Sequence, residues 1–82
     1  NDVFDVNLFP NPAENSIRLN FSGKLNAEST FEIRNQLGQL IQSGKVNNVS
    51  SKEIDISGIN QGIYYVVIRS GEGRITRPFT KL

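Results

Sequence analysis

Residues 63 to 69 read Ile-Tyr-Tyr-Val-Val-Ile-Arg, the most apolar stretch of an 82-residue chain. As a strand it has two unlike faces. Tyr64, Val66 and Ile68 fall on one, and Ile63, Tyr65, Val67 and Arg69 on the other, which Arg69 marks as the wetter side. Tyr65 and Val67 then form a partly exposed apolar strip, either covered by the chain's own ends, the favoured arrangement, or offered to a partner.

Working outward, apolar residues recur with period two, and Gly, Asn, Ser and Pro interrupt them every eight to thirteen residues. Phe4, Val6 and Leu8 alternate up to Pro10; Ile17, Leu19 and Phe21 alternate with Arg18 and Asn20; Phe31 and Ile33 alternate with Thr30, Glu32 and Arg34. Leu40 and Ile41 begin a short fourth strand. Ile54 and Ile56 flank Asp55 in a fifth, and residues 74 to 81 form the seventh. Nine Ile and six Val dominate the apolar content, and their branched side chains suit a pleated sheet. Seven strands so spaced predict an all-β, immunoglobulin-like antiparallel sandwich. Its predicted core holds Ile17, Leu19, Phe21, Phe31, Ile33, Ile54, Ile56, Tyr64, Val66 and Ile68.

The turns carry their own chemistry. Asn35-Gln36-Leu37-Gly38 suits a type I turn followed by a left-handed residue, so strands three and four should pair. Gly71 and Gly73 around Glu72 do the same for the last two strands, while Val46 to Ser51 is a loosely specified polar connection. Pro10-Asn11-Pro12 should turn the chain out of the first strand, with Asn11 bonding its own backbone. Tyr64, two residues after Gly62, is placed to close a tyrosine corner. In the last strand Ile75 and Phe79 share a face with Arg77, and Pro78 lacks a ladder donor, which puts this strand at a sheet edge.

Composition excludes much chemistry. Cys, His, Met and Trp all number zero, so disulfides, thiolate or imidazole metal ligands and Cys- or His-dependent nucleophiles are out. Glu53 and Asp55 read as a solvated face, Asp2 and Asp5 lie near an end, and no calcium loop is present. No catalytic residue, metal ligand or cofactor site is expected. The sequons Asn20-Phe21-Ser22 and Asn48-Val49-Ser50 are too short to carry meaning without a known compartment. A net charge of +1 names no nucleic-acid partner, and no apolar run approaches the roughly 20 residues of a membrane helix. The charge is uneven: residues 1 to 41 hold three basic and five acidic side chains, residues 42 to 82 six and three. Arg69, Arg74, Arg77 and Lys81 face only Glu72 near the end. The chain opens at Asn1 rather than at a Met, which reads as one domain, residues 1–82, cut from something longer.

Three groups of residues resemble the type A C-terminal sorting domain of the type IX secretion system of Bacteroidetes. Leu8-Phe9-Pro10-Asn11-Pro12-Ala13 resembles its opening signature, Ile33-Arg34-Asn35-Gln36-Leu37-Gly38-Gln39 its middle motif, and Ile54-Asp55-Ile56-Ser57 through Gly62-Ile63-Tyr64 and the following strand its third. Phe79-Thr80-Lys81-Leu82 resembles the basic, apolar terminus. Asn35 stands where the family commonly has Asp, and Arg77-Pro78 interrupts what is often an unbroken run.

The resemblance implies an address rather than an enzyme. Cargo attached on the N-terminal side would pass through the periplasm and be carried across the outer membrane by the type IX translocon. A sortase-like protease would then usually remove the domain, leaving the cargo at the cell surface or outside the cell. Arg74, Arg77, Lys81 and Leu82 are the expected recognition residues, while Pro10, Asn11, Pro12, Gly38, Gly62 and Tyr64 are expected to be structural. The alternative is an adhesive or spacer module of immunoglobulin or fibronectin type.

Overall fold

The computed structural model describes residues 4–23, 25, 28–46, 49–71 and 73–82. Seven strands follow in order: β1 Phe4–Phe9, β2 Ser16–Gly23, β3 Ser29–Asn35, β4 Leu40–Lys45, β5 Ser51–Asp55, β6 Gly62–Ser70 and β7 Gly73–Lys81. No helix occurs among the described residues. The strands form a three-stranded sheet, β1-β2-β5, and a four-stranded sheet, β4-β3-β6-β7, with every neighbouring pair antiparallel. Compared with a constant-type immunoglobulin domain, the fourth strand has moved to the sheet of the third. The Asn35–Gly38 hairpin dictates that choice. β4 buries no side chain and so has no apolar face to select a sheet for it.

Period-two alternation places one face of each sheet against the other. Ile17, Leu19, Ile33, Ile56, Val66 and Ile68 are essentially inaccessible. Phe21, expected in the core, is only half-buried. β5 begins at Ser51 opposite Asn20, so the Phe21 ring lies beyond its flanking strand and packs on the core from the rim. Ala13, Val46 and Phe79 join the core from outside the predicted set. Val46 is fixed by its N–H, which donates to the Ser29 carbonyl at 3.0 Å. The connection there is therefore anchored at its start rather than loose. Asn48 of the second sequon, Asp2 and Glu72 lie outside the described residues.

The outer face of β6 remains open. Ile63 and Tyr65 keep 43% and 36% of their surface, although Val67 between Glu32 and Thr76 is buried. The favoured covering by the chain's ends does not occur at Ile63 and Tyr65. On the inner face the Tyr64 ring stacks on Phe79 directly across from it, with centroids 5.7 Å apart. Such a pair adds about 0.5–1.5 kcal/mol beyond its buried area.

Candidate functional site

β7 is an edge strand, as its proline and inward arginine require. Arg77 leans into the open side of the sandwich. There Nη2 donates to Asp5 Oδ1 at 2.7 Å and Nε donates to the Val6 carbonyl at 3.3 Å, so one side chain ties β7 to β1 across the two sheets.

The far end of β7 is capped along its outer edge by the segment after β1. The Thr80 N–H donates to Asn11 Oδ1 at 3.0 Å, Ala13 N–H donates to the Thr80 carbonyl at 2.8 Å, and Leu82 N–H donates to the Ala13 carbonyl at 2.8 Å. Ala13 thus makes a parallel bridge to Lys81. Both proline bonds, Phe9-Pro10 and Asn11-Pro12, are cis. Asn11 does not bond its own backbone as expected; its amide oxygen accepts from the Thr80 N–H on β7 instead.

The other motif residues also build turns. Asn35 Oδ1 accepts from the N–H of Leu37 and of Gln39, at 2.9 and 3.0 Å, and Gly38 takes φ 84°, where a side chain would be strained. Asp55 Oδ1 accepts from the Ser57 N–H at 2.9 Å. The backbone and then the hydroxyl of Ser57 hold the Asp55 carboxyl below its ordinary value of 3.8. The stabilisation from this turn is therefore complete above that pH and is lost as acid protonates the folded carboxylate. Tyr64 closes the predicted corner, its hydroxyl donating to the Asn60 carbonyl at 2.8 Å, just past Gly62 at φ 148°.

The four expected recognition residues do not gather. Arg74 points outward and is exposed, Arg77 points toward β1, Lys81 is half-buried with Nζ donating to the Leu82 carbonyl at 2.9 Å, and Leu82 is exposed. Lys81 lies seven positions along the strand from Arg74, roughly 23 Å. Arg74 instead stands opposite Arg69 on β6. The hairpin spacing about Gly71 could have revealed that pairing, because a two-residue turn fixes the register.

A shallow depression of about 220 Å³ lies beside the Asn35 turn, between Gln36, Leu37, Gln61 and Ile63. Its amide and apolar groups can hold a ligand by hydrogen bonds and contact but offer no carboxylate or amine for proton transfer. No group of three acidic, His or Cys side chains able to hold a metal occurs among the described residues.

Residues 7–81 match the family described as the secretion system C-terminal sorting domain. Comparison with curated protein sequences returns no match. Among solved structures, the crystal structure of dimeric latent PorU from Porphyromonas gingivalis is similar over 100% of this chain and 9% of that one, with 24% identity and a TM-score of 0.69. That likeness is one of fold.

Proposed function

The chain belongs to the C-terminal sorting domains of the type IX secretion system, and from that membership we propose that it is read as a folded unit by the translocon while its cargo follows on the N-terminal side. Membership makes the domain a sorting signal for delivery to the cell surface or the extracellular space. The observation that carries the finer reading is the match over residues 7–81 together with the use of its motif residues. Pro10-Asn11-Pro12, Asn35–Gly38, Asp55-Ile56-Ser57 and Gly62-x-Tyr64 are all spent on fixing turns and the terminal strand. A signal whose motifs build its fold is suited to recognition by shape.

In this reading residues 1–82 are one detachable domain of a longer secreted protein, with no catalytic role. It passes through the periplasm and is then removed by a sortase-like protease. Arg74 and Leu82 are offered to the translocon, whereas Arg77 acts by tying β7 to β1 and Lys81 turns back on the Leu82 carbonyl. A fluorescent reporter directed to the periplasm and fused ahead of residues 1–82 tests it in a bacterium carrying the type IX system. The fusion should reach the surface or medium, and should stay periplasmic when the translocon is deleted. Periplasmic retention of a folded fusion in intact cells would leave the adhesive or spacer module as the better account.

A further inference from the structure

The two outer faces of the sandwich carry opposite charge, which the net charge of +1 conceals. On the three-stranded sheet the outward charged side chains among the described residues are Asp5, Arg18, Glu53 and Asp55, three acids to one base. On the four-stranded sheet they are, among the described residues, Glu32, Arg34, Lys45, Arg69 and Arg74, one acid to four bases.

Arg69 and Arg74 are direct cross-strand neighbours, an arrangement that costs folding stability. Arg69 lies 3.7 Å from Glu32, which Arg34 also approaches at 3.1 Å, while no acid among the described residues pairs with Arg74. Further along the same face, Tyr65 and Ile63 are exposed beside Pro78 and Thr80. The face thus has a basic end at Arg69, Arg74 and Lys45, an apolar end where Arg34 lies beside Tyr65, and one carboxylate between them.

We propose that this outer face of β4-β3-β6-β7, centred on Arg69 and Arg74, is the surface through which the domain docks on an acidic protein partner. Charge complementarity selects an acidic occupant. A protein fits this face better than an anionic membrane, because Glu32 offsets part of the charge of Arg34 and Arg69 and leaves a patterned face of mixed charge and exposed Tyr65 and Ile63, not the uniformly basic one that a headgroup layer would favour. The proposal rests on the reading of the domain as an export signal and deepens it by naming the surface.

The reporter fusion tests it with R69Q/R74Q and R74E, alongside R18E on the opposite face as the control. Circular dichroism melts of the purified fusions establish that each variant is folded, and R74E keeps both Arg69 and Glu32 in place. Export of the unsubstituted fusion tests the signal reading itself. Given that export, both β6–β7 variants should lose roughly tenfold or more of the exported fraction, and R18E should match the parent.

Equal export by folded R69Q/R74Q and R74E would overturn the docking surface while leaving the signal reading in place. Sedimentation of the parent, but not of R69Q/R74Q, with phosphatidylglycerol vesicles would assign the face to a membrane instead. Self-association of the parent, lost in R69Q/R74Q, would assign it to the acidic face of a second copy.

Discussion

The Tyr64 side chain does two jobs from one buried position: its ring stacks on Phe79 and its hydroxyl holds the Asn60 carbonyl, fixing the path by which the chain leaves β5 and enters β6. Tyr64→Phe keeps the stack and removes only the hydrogen bond. It should cost about 1 kcal/mol, a fall in melting temperature of roughly 4–8 °C for a domain of this size. An unchanged melt would mean that water serves Asn60 equally well. This corner was legible in the sequence because donor and acceptor are four residues apart, and the Gly62-x-Tyr64 spacing announces the sharp bend. The Asn11 contact was not, since its partner Thr80 is 69 residues away and no local pattern points to it.

Among the elements, β7 departs most from what alternation alone suggests. Its proline, inward Arg77 and edge position follow from the sequence, but an edge strand also implies a row of free backbone groups, and the C-terminal end of that row is occupied. Asn11 and Ala13 take the groups of Thr80 and Leu82, so the Pro-Asn-Pro segment acts as a short extra strand on the end of β7. Asn11→Ala leaves the Thr80 N–H without this acceptor and should cost about 0.5–1.5 kcal/mol, read from urea unfolding midpoints, with export of a fused reporter falling in parallel. Lost export at an unchanged midpoint would instead make Asn11 a contact residue. Deleting Thr80–Leu82 removes all of these bonds together, so it cannot separate recognition from folding. β4 shows the opposite limit: its pattern of exposed and half-buried residues is silent about sheet membership, and only the turn before it supplies the answer.

For the whole molecule, closure depends on residues from opposite ends of the chain. Arg77 reaches Asp5 across 72 residues, Thr80 reaches Asn11 across 69, and Phe79 covers Tyr64 in the centre of the core. The distribution of charge has the same origin, because Arg69 meets Arg74 and both share a face with Lys45 only once register is set; counting charges along the sequence shows the basic excess but not the face. Contacts of such long range are made late and reward the chain only when all are present. The domain should therefore unfold as one unit, with coincident midpoints by far-ultraviolet circular dichroism and tyrosine fluorescence. A chain ending at Ser70, which lacks β7 and leaves Tyr64 uncovered, should show no cooperative transition. Separate transitions in the full chain, or cooperative melting of residues 1–70, would show that β1 to β6 make a core without the last strand. Cooperative closure also bears on sorting, because a translocon that reads the folded shape would ignore a domain in which β7 is not yet docked.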